Sequence, residues 1–206
     1  EYQSSGGRVE DEEGRPVLEP GALTEVLSFY QEAEIAGAMP LWLTQLATDD
    51  EAWQAYMEGR AHLLITWASR YLSQLPGDTA AAPLPTETGE PFTLMDGWVW
   101  GLANPNIGRH ALSVDLIDYL TESDFLAEWT QATGYLPSRS SALARWSNPA
   151  LRNLAQDVIR SAQIIPSNDV VATLGPALQI AVLNVLKQQA DPVSAAQDAS
   201  GSLQAP

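Results

Sequence analysis

Two tryptophans stand where a ligand could be held. Trp67 follows the apolar run Ala61–Thr66 and precedes Ser69 and Arg70, while Trp98 comes directly after Asp96-Gly97. An indole just past the C-terminal end of a strand, where open α/β sheets place ligands, can stack on the apolar face of a sugar ring. Arg70 can donate hydrogen bonds to such a ligand, and Asp96 can accept them from its hydroxyls. Each has a plainer reading as well: a core indole, a solvated guanidinium, a turn carboxylate.

Residues for covalent chemistry are scarce. His62 sits in mid-strand sequence and His110 opens a helix, and neither has a nucleophile nearby in the chain. Asp115 with Asp118, and Asp49 to Glu51, could pose as acid–base pairs, but exposed helix carboxylates are usually solvated faces. With no cysteine there is no disulfide, no thiolate zinc site and no thiol nucleophile. The acidic run Glu10–Glu13 lacks the alternating ligands of a calcium loop. The expectation is a protein with no catalytic residues, no metal and no cofactor.

The chain has 206 residues, of which 26 are acidic and 10 are Lys or Arg, a net charge of −16. That charge repels phosphate backbones and anionic membranes, so no nucleic-acid partner is expected. An apolar share of 45% allows a core without covalent staples. No apolar run approaches the roughly 20 residues of a membrane span. Neither a signal peptide, nor a lipidation motif, nor a starting Met is visible, so the chain reads as a piece of a longer protein with any export signal upstream.

These residues need elements to position them. Residues 1–19 read as a β-hairpin turning at Glu10–Gly14. A helix opens at Pro20 with Leu23, Val26, Leu27 and Tyr30 on one face and stops at Gly37. A second covers 49–58, capped by Thr48 or Asp49, with Trp53, Tyr56 and Met57 as its stripe. Three strands follow: Ala61–Thr66, an edge strand or its exit at Pro83-Leu84-Pro85, and Pro91–Leu102 with a bulge at Asp96-Gly97 and a close at Asn104–Asn106. Thr86–Pro91 reads as a loop. Helices are expected over 108–121 (Leu112, Leu116, Tyr119 and Leu120 on one face), 123–133, from Pro137-Ser138, and from Asn148-Pro149. A long helix capped by Asp169 carries Val171, Leu174, Leu178, Val182 and Val185, with a kink at Gly175-Pro176. A short helix over 192–198 precedes a disordered tail, 200–206.

The order of these segments resembles the C-terminal portion of extracellular solute-binding proteins of ABC importers, in the sugar-binding branch that includes maltose-binding protein. The resemblance rests on Gly6-Gly7, on the helix–Gly–strand unit Tyr56–Ile65, on Pro83–Thr86, on Asp96-Gly97-Trp98 in place of Gly-Gly-Trp, and on Thr133–Arg139 as Thr-Gly-x-x-Pro-x-Arg. It implies an incomplete type II periplasmic-binding-protein-like α/β fold, helix-rich with short strands. Residues 1–95 would belong to the C-terminal lobe, 96–150 to the N-terminal lobe and 151–199 to the returning C-terminal-lobe helices. It places Trp67 and Asp96-Gly97-Trp98 on the ligand side, with Trp98 toward the ligand and Trp100 packing; Arg70, just past Trp67, completes the expected ligand-binding set. Tyr135 reads as packing, and Trp42, Trp53, Trp129 and Trp146, which fall on or beside helices, as core or surface packing. Where the branch often carries a stacking aromatic on the late helix, this chain has Gly175, which argues against a maltodextrin ligand.

By resemblance the protein captures a small molecule, a sugar, outside the cytoplasm and hands it to ABC permease subunits without catalysis. A secreted carbohydrate-active enzyme such as a glycoside hydrolase, which needs two opposed carboxylates, and a non-catalytic interaction domain are the alternatives. A lobe cut through its sheet leaves an open strand edge, so residues 1–206 alone are expected to self-associate through Pro91–Asn106.

Overall fold

Pro20 lacks an N–H that the first turn of a helix would leave unpaired anyway, and the first helix starts there. A computed structural model of the chain describes residues 1–86, 88–103 and 105–203. Its helices are α1 (Pro20–Ile35), α2 (Asp49–Met57), α3 (Ala68–Gln74), α4 (His110–Leu120), α5 (Ser123–Thr133), α6 (Ser140–Leu143), α7 (Pro149–Arg160), α8 (Asn168–Leu186) and α9 (Pro192–Ser202). Its strands are β1 (Thr93–Met95) and β2 (Ala162–Ile164). They divide into two compact units: unit 1 joins Glu1–Leu64, Pro85–Glu90 and Ile165–Pro206, and unit 2 joins Ile65–Leu84 and Pro91–Ile164. Unit 2 thus takes in 65–84, 91–95 and 151–164 together with 96–150.

Unit 1 is a helical layer around α1, α8 and α9. Leu23 and Leu27 of α1 meet Val170, Leu174, Ala181 and Val185 of α8, and Ala195, Ala196 and Ala199 let α9 approach closely. Buried methyl and methylene groups here supply the main favourable term, about 25 cal/mol per Å² of apolar surface removed from water. The buried stripe of α8 runs from Val170 rather than Val171, which is exposed, and the helix is capped by Ser167 rather than Asp169. At 19 residues α8 is long and apolar enough by composition to cross a membrane, which corrects the expectation that no such run exists. A third of that span is buried, with Val170, Leu174, Ala181 and Val185 in the core that α1 and α9 share. Thr48 and Glu51 form a reciprocal capping box on α2. Asp191 caps α9, which extends to Ser202, so 200–202 are helical and not tail; 204–206 lie outside the described residues.

The expected N-terminal hairpin forms only near its turn. Glu10 and Pro16 bridge antiparallel, and the Val17 N–H donates to the Val9 carbonyl at 3.0 Å. Residues 2–6 instead form turns, with the Tyr2 ring lying where a Cβ on Gly7 would stand, 2.3 Å away. The Tyr2 hydroxyl donates to the Arg8 carbonyl at 2.9 Å and accepts from the Glu19 N–H at 2.8 Å.

Unit 2 is built from α3 to α7 and one small sheet. Leu72, Leu126, Ala127, Ala142, Leu143, Trp146 and Ala155 form its core. The strands depart most from expectation. Ala61–Thr66 is irregular and forms no strand; Leu63 is 92% exposed. Leu84 makes only an isolated antiparallel bridge with Phe92. The third strand stops at Met95, before the expected bulge, where its three-residue parallel pairing with β2 ends. The Thr93 N–H donates to the Ser161 carbonyl at 3.0 Å and extends that junction. The expected close at Asn104 lies outside the described residues, as does Glu87 of the expected loop.

Candidate functional site

All five expected ligand residues fall in unit 2, on two short segments. Trp67 is the N-cap of α3, with extended backbone, and Arg70 lies in the first turn, its N–H bonded to the Trp67 carbonyl at 3.0 Å. Helix α3 was not foreseen: its seven residues end on Leu75 at φ +42, a left-handed conformation usually taken by Gly, just before Pro76. Trp67 is 51% exposed.

Asp96, Gly97 and Trp98 lie just past the C-terminal end of β1. The Asp96 carboxylate accepts from the Gly97 N–H at 2.7 Å, which holds it along the chain. Trp98 is 89% exposed. Among the described residues no ring contact joins Trp67 to Trp98, so the structure holds them as two exposed aromatic positions on one unit. Trp100, expected to pack, is 63% exposed, because the ladder ends at Met95 and no sheet face continues beneath it.

The other tryptophans divide sharply. Trp53 and Trp146 are buried as expected, and the Trp146 indole N–H donates to Thr130 Oγ1 at 3.2 Å. Trp42 carries the Arg60 guanidinium 4.4 Å above its ring. Trp129 and Tyr135, assigned to packing, are a stacked and half-exposed pair. The signal for them was present in Gly134, which ends α5 at φ +77 and turns the chain between the two rings.

One face was read as a helix stripe and is uncovered. Leu112, Leu116 and Tyr119 of α4 are exposed, and α4 buries no residue. In unit 1 a cavity of about 460 Å³ lies between the turn Leu41–Gln45 and α8, lined by Met39, Leu43, Leu46, Leu178, Val182 and Leu186 among others. Its aliphatic walls hold none of the expected ligand residues. Among the described residues there is no cluster of three His, Asp or Glu able to hold a metal.

The resolved carboxylate shifts lie in unit 1. The Arg8 backbone N–H and guanidinium hold Glu19 below the usual carboxylate range, and the Arg15 backbone and side chain do the same for Asp11. Ser194 lowers Asp191 at the start of α9. Burial, with Glu1 adding a smaller effect, pushes the Tyr30 phenol up to about 12.

Comparison with known proteins places the chain in a class. Residues 3–156 match the bacterial extracellular solute-binding protein family. Maltose-bound MalE3 of T. maritima superposes with a TM-score of 0.69 at 22% identity, over 98% of this chain and 55% of that one. The cyclic α-maltosyl-1,6-maltose binding protein of Arthrobacter globiformis gives 0.69 at 18% identity, over 98% of this chain and 52% of that one. The chain thus spans about half the length of these structures. No curated protein matches it. The fold is part of a type II periplasmic binding fold, helix-rich with few strands, and the protein belongs to the bacterial extracellular solute-binding family.

Proposed function

We propose that the intact protein captures a carbohydrate outside the cytoplasm and delivers it to the permease subunits of an ABC importer, without catalysis. One observation carries the reading: within a solute-binding family member, every exposed Trp and Tyr among the described residues lies in unit 2, with Trp67 and Trp98 beside Arg70 and Asp96 in sequence. Flat faces stack on sugar rings while neighbouring polar groups orient hydroxyls. We assign unit 1 to the C-terminal lobe and residues 96–150, which lie inside unit 2, to the N-terminal lobe. Trp67, Arg70, Asp96, Gly97 and Trp98 are the proposed contacts. Both superposed structures carry sugar-binding names, which supports the class of ligand and leaves the particular sugar open.

Mass spectrometry of solute released from the purified intact protein, followed by calorimetric titration, tests this. Intact sugar bound without turnover supports it; cleavage of an oligosaccharide would mark a hydrolase instead. Residues 1–206 alone are expected to associate through the exposed run at Trp98–Trp100, and a clean monomer by light scattering would contradict that.

A further inference from the structure

We infer that Gly134 is a positioning residue: by carrying no side chain it lets the end of α5 close on α3 and so fixes where Trp67 and Arg70 stand. The inference rests on the reading above that takes Trp67 and Arg70 as solute contacts.

Helix α3 cannot hold itself. It has seven residues, no side chain caps its start, and it stops on Leu75 at φ +42, an unfavourable conformation for a residue with a Cβ. A helix this short is marginal in water, because its first hydrogen bond must fix several residues at once. Its order therefore comes from what it packs on. Leu72 is its one buried residue and lies in the core with Leu126 and Ala127 of α5. One buried side chain anchors a helix at a point and leaves it free to pivot there. Gly134 supplies the second hold.

Gly134 is buried and ends α5 at φ +77. A Cβ there would stand 2.8 Å from the Ser69 carbonyl oxygen, 2.8 Å from the Ser73 nitrogen and 3.1 Å from the Ser73 Cα. Ser69 and Ser73 stand four apart in α3, the acceptor and donor positions of one helical hydrogen bond. The bare glycine thus lies against a turn of backbone, where no side chain can rotate out of the way. A left-handed angle alone needs no such neighbour: Gly37 and Gly59, just past α1 and α2, both adopt φ +74 with open space around them. Gly134 meets two demands, ending one helix and admitting another.

The turn it touches leads directly to the expected contacts. The Ser73 hydroxyl donates to the Arg70 carbonyl at 3.0 Å, and the Arg70 N–H donates to the Trp67 carbonyl at 3.0 Å. A displacement forced at Ser73 is passed along these bonds to Arg70 and to Trp67, the N-cap. A binding set tolerates displacements of only about 0.5 Å.

The test uses the intact protein labelled with 5-fluorotryptophan, its Trp67 resonance assigned through Trp67→Phe, and calorimetric titration of glucose, maltose, cellobiose and xylobiose. Gly134→Ala should move the Trp67 fluorine resonance and leave that of Trp53, in unit 1, in place. It should weaken the sugar that binds best by about tenfold at a temperature where the variant is folded. Gly134→Asn, which accepts the left-handed angle but still carries a Cβ, should do the same. Gly37→Ala bears equal backbone strain with no neighbour and should change neither readout. An unmoved Trp67 resonance or unchanged affinity in folded Gly134→Ala overturns the inference and leaves the carbohydrate reading standing. Where neither Gly134 variant folds, hydrogen exchange on the unmutated protein decides. The Ser73 amide should exchange as slowly as that of Thr130 in α5, and exchange as fast as a fraying helix end overturns the inference. Failure of the unmutated protein to bind any of the four sugars overturns the reading beneath it as well.

Discussion

Unit 1 and unit 2 spend their surfaces differently. Unit 1 carries 18 acidic residues against 4 Lys or Arg, a balance of −14, while unit 2 carries 8 against 6, a balance of −2. The exposed aromatics run the other way. Trp67, Trp98, Trp100, Tyr119, Trp129 and Tyr135 all lie in unit 2, and in unit 1 the exposed large apolar residues include no Trp or Tyr. Acidic side chains keep a helical layer solvated, whereas flat amphipathic rings are costly to leave in water unless something covers them. The difference teaches that the chain's acidity is concentrated in unit 1. A net charge averaged over 206 residues hides a nearly neutral unit 2.

The comparison can be broken from either side. The largest effect is expected at Gly134, where an added Cβ meets backbone in a left-handed conformation. Gly134→Ala should destabilise unit 2 by roughly 2–4 kcal/mol, the sum of backbone strain and overpacking. Thermal unfolding followed through the buried Trp146 would report it, and an unchanged transition would refute the contact between α3 and α5. In unit 1, Leu27→Ala removes a fully buried side chain between α1 and α8 and should cost about 2–4 kcal/mol in denaturant unfolding. A cost below about 1 kcal/mol would mean that the unit 1 core is looser than described.

What could be read in advance follows from the range of the interactions. The ends of α1, α2, α5 and α7 were legible because Pro20, Thr48 with Glu51, Gly134 and Asn148 act within one helical turn. The strands were not, because a ladder depends on a partner far along the chain: Thr93–Met95 pairs with Ala162–Ile164, for which the sequence offered no strand signal. Helix α3 escaped notice because seven residues ending on Leu75 show neither a full stripe nor a glycine stop. The same gap sent Trp100 to the core, since alternation predicts a face only while the sheet lasts. Trp67 and Trp98 were legible as exposed aromatics by their polar neighbours. Trp129, read as core or surface packing, lies at the surface and stacks on Tyr135; spacing on α5 alone does not tell a covered face from an open one.

Acidity should separate the units more gently. Asp11, Glu19 and Asp191 have folded-state pKa values below the usual carboxylate range, so their stabilisation is present above the unfolded value and is lost as pH falls through the depressed one. Tyr30, raised from 10.0 to about 12, is stabilising below pH 10 and loses that contribution between 10 and 12. Helical signal from unit 1 should therefore fade at both extremes, and Tyr30→Phe should flatten the alkaline limb. An alkaline midpoint that does not move in Tyr30→Phe would contradict the assignment. The smallest change is Thr48→Ala, which removes one half of a capping box and should cost about 1 kcal/mol by chemical denaturation.

The most direct test of the central claim, that the aromatics of unit 2 hold a sugar, is calorimetric titration of the intact protein with the sugar that copurifies with it. Trp67→Ala and Trp98→Ala should each weaken binding by at least about tenfold while leaving the unfolding temperature unchanged, since both indoles are exposed. Undiminished affinity in both variants would contradict the account.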